Sequence, residues 1–293
     1  MSSLSASDVM ALCSAMSWAI AVLFFGRLTE IPAAALNLFK NIVASAMLLC
    51  TMWALGIRFS STRPLGDWLV LAGSGVIGLA VADTLFFAGL RRLEPSLVAI
   101  CDCAYAPAVF LLSALFLGER FRAGLLIGTP LVVLGLFLAT WQPRRDRNAP
   151  IDRRGVVYLV LGVIGTAVGV VLAKPVLPGS DLVEATTVRL LCGTFALLVY
   201  HTVTGGLRGA LSLLRPQAAW RFALPGTLFG TYVSMLLWLG GMRDGPAART
   251  AVLNQMSAIF VLLLSRVLGE RLPWRRWVGA ALAVTGASVV LTH

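Results

Sequence analysis

Ten long apolar runs leave this chain little choice of solvent. They lie at 9–26, 32–55, 67–90, 94–117 and 122–141, then at 155–174, 182–203, 219–240, 246–268 and 274–292. A helix that crosses a bilayer needs about 20 mostly apolar residues. In lipid, every backbone polar group must be satisfied internally, which leaves helices and closed barrels. The runs are continuous rather than alternating, which favours helices. Composition agrees: 58% of residues are hydrophobic and 13% are charged, against roughly 45–50% and about 25% in soluble domains. The expected fold is an all-α integral membrane protein with ten transmembrane helices.

Smaller signals fit that class. Trp53, Trp68, Trp141, Trp220, Trp274 and Trp277 cluster near run ends, where amphipathic rings meet the membrane interface. The net charge is +11, but the arginines sit mostly in short gaps facing water and headgroups. With no aromatic-plus-basic motif, nucleic acid is not expected as a partner. Cys13, Cys50, Cys101, Cys103 and Cys192 all lie inside apolar runs and read as buried small hydrophobes, not as disulfides or metal ligands. Neither a metal nor a cofactor is expected. The opening "MSSLSASD" holds no Lys or Arg, so the first run reads as a retained span rather than a signal peptide.

"LGER" occurs at Leu117–Arg120 and again at Leu268–Arg271. An ungapped slide by that offset pairs Gly89 with Gly240, Arg92 with Arg243, Pro95 with Pro246, Gly128 with Gly279 and Gly135 with Gly286. Apolar composition alone would not align Gly, Pro and Glu-Arg in one register. The chain is therefore an internal duplication: residues 1–141, an arginine-rich linker at 142–154, and residues 155–293. Five spans per half is an odd number, so the second copy enters the membrane from the opposite side. Two inverted five-helix repeats result. In secondary transporters this arrangement places the substrate near the midplane, between the repeats.

The end of each half carries a more specific likeness. "EPSLVAICDCAYAPAVFLLSALFLGERFRAGLLIGTPLVVLGLFL" and "GPAARTAVLNQMSAIFVLLLSRVLGERLPWRRWVGAALAVTGASVVL" share a proline opening the fourth span, an apolar run, LGER, and a glycine-bearing last span. The chain resembles the drug/metabolite transporter superfamily, in its ten-helix EamA branch. Trp18 in the first span and a cation in the second and seventh also match. The resemblance implies a substrate carrier, often an exporter of amino acids or related metabolites, and it adds Trp18 to the substrate-binding set. One departure is that Pro107, inside the fourth span, is answered by Ala258 in the ninth.

Ionisable residues inside spans are candidates for function, because lipid disfavours them. Lys40 lies roughly 12 Å along the second span, and Arg189 is its counterpart at an offset of 149. Asn37 precedes Lys40 by three residues and Thr186 precedes Arg189 by three, so each helix shows a polar stripe with a cation. The functional reading is an anchor for a carboxylate; the plainer one is snorkelling to headgroups. Asp83, in "VADTLFF", and Asp102, in "ICDCAYAP" with Tyr105 one turn on, are proton-coupling candidates. The plainer reading there is a static ion pair with Lys40 that ties helices together. Asn254 and Gln255 in "LNQMS" match Cys103 and Ala104 of the first half. They read as a substrate-orienting cluster or as helix-to-helix hydrogen bonds. The GxxxG pairs Gly124/Gly128, Gly165/Gly169 and Gly226/Gly230 read as close helix packing. Glu119 and Glu270, at span ends beside arginines, read as interfacial anchors, with gating salt bridges as the alternative.

Two readings stay open. Termini placed inside would leave Arg58, Arg63, Arg120, Arg122, Lys174, Arg243 and Arg249 cytoplasmic and put more cations, including five in the linker, opposite. The positive-inside rule then leans to termini outside, whereas the resemblance implies both inside. Function divides similarly. The main expectation is a secondary active transporter of small polar metabolites such as amino acids, working by alternating access, outward and proton-coupled, in the plasma (inner) membrane of a bacterium. One chain suffices for it. The alternative is a carrier of lipid-linked or nucleotide-sugar substrates. A channel ranks lower, as does an intramembrane enzyme: there is no HExxH, no GxSxG and no histidine in a span interior. No Walker A loop is present, so ATP is not the direct energy source.

Overall fold

The structure is a computed structural model, and it describes residues 4–28, 30–93, 95–140, 152–269 and 272–292. Trp141, most of the 142–154 linker, Glu270 and Arg271 lie outside the described residues. The helices are α1 Ala6–Phe25, α2 Ala33–Leu55, α3 Leu65–Leu90, α4 Pro95–Asp102, α5 Tyr105–Leu117 and α6 Ala123–Thr140. The second half has α7 Arg153–Val176, α8 Leu182–Val203, α9 Trp220–Asp244, α10 Ala247–Asn254, α11 Ser257–Val267 and α12 Trp274–Thr292. No strand occurs among the described residues. Eight helical stretches are long and apolar enough to cross a membrane. The chain is a multi-pass integral membrane protein.

Local chemistry sets the helix ends. Ser5 opens α1 with a capping box: its Oγ accepts the Asp8 N–H at 3.3 Å while Asp8 accepts the Ser5 N–H at 3.0 Å. Asp181 caps α8 through the N–H groups of Val183 and Glu184. Asp152 caps α7 in the same way, and the Gly155 N–H it accepts, aided by Arg92, holds its carboxyl below the usual carboxylate range. Gly56 ends α2 at φ 68°, a conformation glycine adopts without strain.

The two halves are interleaved rather than stacked. Helix α1 packs on α9, α10 and α11, and its counterpart α7 packs on α3, α4 and α5. Two pairs of equivalent helices meet directly, α2 with α8 and α6 with α12. A Cβ added at Gly128 would lie 2.6 Å from the Gly286 carbonyl oxygen, and one at Gly279 would lie 2.6 Å from that of Gly135. Residue numbers thus run in opposite senses along α6 and α12. Equivalent helices lying antiparallel are what an inverted duplication requires. Ser45 Oγ and Thr194 Oγ1, equivalent positions 149 residues apart, meet at 3.3 Å, so the pseudo-twofold axis passes between them. The glycine pairs serve this interleaving: Gly165 and Gly169 meet α3 at Ala82 and Gly78, and Gly226 and Gly230 meet α1 at Phe25 and Ala21.

Two expectations need correction. The fourth and ninth spans are not continuous. Each breaks into two short helices, α4/α5 and α10/α11, within one residue of the same repeat position. The bond Ala104 N–H to Cys101 O (3.0 Å) and the bond Met256 N–H to Leu253 O (3.0 Å) close tight turns there. The cysteines are not uniformly buried: Cys13 and Cys50 are exposed on the outside of the bundle, where lipid accepts a thiol as readily as a methyl group.

Candidate functional site

The two broken helices meet α1, α2, α3, α7, α8 and α9 around a cavity of about 220 Å³. Helix α3 runs through a π-helical segment, Val76–Ala82, immediately before Asp83. Helix α9 does the same over Leu228–Val233, immediately before Ser234. Such turns leave backbone groups without their ordinary helical partners and often mark functional sites. Here they bring Gly78, Leu79, Gly230 and Thr231 to the cavity wall. Ser17 Oγ donates to the Phe229 carbonyl at 2.7 Å, satisfying one such group.

Most of the candidates converge on this space. Trp18, Lys40, Asp83, Asp102, Tyr105, Arg189, Asn254 and Gln255 all line it. Asn37 does not. It is buried on another face of α2, where its carbonyl and Oδ1 both accept from Asn41 Nδ2, at 2.8 and 3.0 Å. Residues three apart on a helix are offset by about 60°, enough to carry one out of a cavity the other lines. Thr186 is also buried, with its hydroxyl donating to the Leu182 carbonyl at 2.6 Å.

The equivalent cations are treated differently. Lys40 Nζ meets Asp83 Oδ2 at 2.6 Å, with the lysine nearly buried and the Phe87 ring beside it. The static pair anticipated for an aspartate therefore falls to Asp83. Ser234, the counterpart of Asp83, instead clips α9 to α1 by exchanging hydrogen bonds with Ser14 at 2.9 and 3.1 Å. Arg189 thus lacks a carboxylate. It is 1% exposed, and its Nε and Nη1 are buried without hydrogen-bond partners. Among the described residues, neither Arg189 nor Asp102 belongs to an ion pair. Gln255 Nε2 donates to the Asp102 carbonyl at 3.0 Å, joining the two broken helices. Tyr105 OH, Trp238 Nε1 and Asn254 Oδ1 are likewise unpartnered.

Buried polar atoms are nearly always hydrogen-bonded, so this concentration of open donors and acceptors beside a cavity is a place for a polar guest. An unpaired guanidinium recognises a carboxylate or phosphate. Tryptophan and tyrosine faces supply apolar walls. The sequence analysis missed Trp238, which also lines the cavity beside Trp18. It lies two residues from the end of the 219–240 run, so nothing in the sequence set it apart from the interfacial tryptophans.

A wider vestibule of about 680 Å³ shares Trp18, Phe86, Phe87, Asp102 and Ser257 with the cavity. It continues past Phe25, Leu36 and Leu90 to Arg91, Thr140 and Arg276. These lie at the end of α1, the end of α3, the end of α6 and the start of α12. The vestibule therefore faces the side opposite the chain termini. The termini share one face, because Arg249 binds Asp8 at the start of α1 and the Leu291 carbonyl at the end of α12.

An inverted repeat, paired broken helices and a central polar cavity define a membrane carrier. The family model for EamA-like transporters matches residues 5–141 and again 153–292, and the chain belongs to that family. It is thus a membrane transporter of the drug/metabolite type. A solved crystal structure with 18% sequence identity has the same fold, with a TM-score of 0.80 over 98% of this chain and 96% of that one.

Proposed function

We propose that the chain is a secondary active carrier that moves small carboxylate-bearing polar metabolites, amino acids among them, outward across the plasma membrane of a bacterium. The observation that carries this reading is Arg189, a buried guanidinium with open donors on a central cavity. In it the substrate carboxylate completes Arg189. Trp18, Tyr105 and Trp238 flank its apolar part, and Asn254 and Gln255 orient its polar groups. A single chain holds the whole site.

For proton coupling, the pairing separates the two carboxylates. Lys40 already compensates Asp83. A carboxylate without a cation partner is compensated by a proton or by a cationic group of the substrate. Asp102 is then the proton carrier and Asp83 a structural partner of Lys40.

The test is counterflow in proteoliposomes with a panel of amino acids and small metabolites, with and without an imposed pH gradient. Saturable counterflow is expected. Arg189→Gln should lower kcat/KM by about 10- to 100-fold, the loss of one or two charge-assisted bonds. Asp102→Asn should keep counterflow and lose uphill accumulation, while Asp83→Asn should keep both in whatever protein folds. Uphill accumulation by Asp102→Asn would remove the proton role from that residue. A carrier of lipid-linked or nucleotide-sugar substrates is the second reading, and the large apolar vestibule favours it. Flux of such substrates with none of the amino-acid panel would establish it instead.

A further inference from the structure

Glu119 is the acid of the first LGER, yet it forms an ion pair with neither Arg120 nor Arg122. Its carboxylate reaches across the repeat boundary and accepts the backbone N–H groups of Ala247 at 2.7 Å and Ala248 at 3.3 Å. These are the first two residues of α10. A helix start leaves four backbone donors unmatched, and its dipole favours an anion there. The capping position of α10 is Pro246, which offers no side-chain acceptor. The first turn of α10 therefore depends on a residue from the other repeat.

Two further contacts hold the same end. Arg249 is gripped by Asp8 through two bonds, at 2.7 and 2.8 Å, with Asp8 almost fully buried. Lys174 of α7 donates to the carbonyls of Met242 and Gly245, just before α10. All of this lies on the termini face, the side away from the vestibule. The inner end of α10 is Asn254, followed by Gln255 in the break, and both line the cavity. Helix α10 is eight residues long, about 12 Å. It is a short rigid link between a clamped outer face and the site, and the break beyond it supplies a hinge.

We propose that Glu119, together with the Asp8–Arg249 pair, is the latch of the termini face. Held by Glu119, α10 stays down and the cavity communicates with the opposite side. Release of the latch lets α10 swing about the break at Gln255, which opens the termini face and moves Asn254 and Gln255 with it. Glu119 acts through α10 as a positioning residue and does not touch the substrate. This inference rests on the alternating-access reading above.

The test uses a Ser257→Cys reporter on the cavity wall, in the full chain with its five native cysteines changed to serine. A membrane-impermeant thiol reagent is applied from one side at a time. With Glu119 intact, labelling is expected to be fast from the vestibule side and slow from the termini side. Glu119→Ala should speed labelling from the termini side about 10- to 100-fold, the population shift expected from losing its two charge-assisted bonds, one short and one long. Glu119→Gln keeps one acceptor oxygen and should fall between. If Glu119→Ala does not fold, Arg249→Lys, which gives up the two-bond grip on Asp8, should raise termini-side labelling in the same direction. Folded variants whose termini-side labelling and turnover match the parent would overturn the latch and leave the carrier intact. If the parent reporter is never labelled from the termini side, even during substrate exchange, alternating access itself fails.

Discussion

Duplication gave this chain two equivalent intramembrane cations, and divergence at one other residue set their fates. Lys40 has Asp83 one helix away; Arg189 has Ser234 at the equivalent place, and its Nε and Nη1 stay without hydrogen-bond partners. Removing the two should therefore have opposite consequences. Lys40→Ala leaves Asp83 uncompensated, and breaking a buried pair costs about 3–5 kcal/mol, with the lower end expected because the carboxylate borders the cavity. Lys40→Ala/Asp83→Ala should recover most of that loss, while Arg189→Gln should leave stability nearly unchanged. Thermal unfolding in detergent checks all three. A double variant less stable than Lys40→Ala would show that the pair does not act as a unit. The sequence exposed these residues as candidates because charge in an apolar run stands out. It could not tell which aspartate meets Lys40, since that depends on how α2 packs against α3. Nor could it turn Asn37 away from the cavity, because a shared stripe on one helix says nothing about where a neighbour ends.

Among the elements, the broken helices were the least legible. Pro107 marks the first break plainly: it has no N–H and leaves the Cys103 carbonyl without its helical donor. The second break has no such mark. Ala258 stands in its place, and "LNQMS" reads as ordinary helix. Yet the Ala258 N–H goes to Gln255 O, three residues back rather than four, and α10 still ends at Asn254. The break is therefore made by the surroundings, by crossing helices and the Gln255 bond to Asp102, not by proline alone. Pro107→Ala should accordingly leave the α4/α5 turn in place and counterflow KM within about twofold, a smaller effect than the several kcal/mol that proline commonly exerts inside a helix. A large rise in KM would show that the first repeat needs its proline where the second does not. The π-helical turns were illegible for the same reason, since glycine-rich apolar sequence is compatible with either winding.

At the scale of the whole molecule, the duplication was readable because Gly, Pro and Glu-Arg kept one register across half the chain. The odd number of spans then made inversion a matter of counting. What the count did not reveal is how deeply the halves interpenetrate. The opening helix of each repeat packs on the third and fourth spans of the other, α1 on α9–α11 and α7 on α3–α5. Helix association in lipid relies on close packing and hydrogen bonds rather than on the hydrophobic effect. A half expressed alone therefore inserts, because its runs are apolar, but finds no partner for its first helix. Residues 1–141 and 155–293 produced separately should each be protease-sensitive and inactive. Produced together, they should copurify and recover counterflow, because the contacts that join the halves run between helices of the two repeats. Copurification with transport near the parent level would establish that the fold is specified by contacts between repeats. A half that resisted protease alone would mean that each repeat packs on itself, and that the interleaving seen here is not what stabilises it.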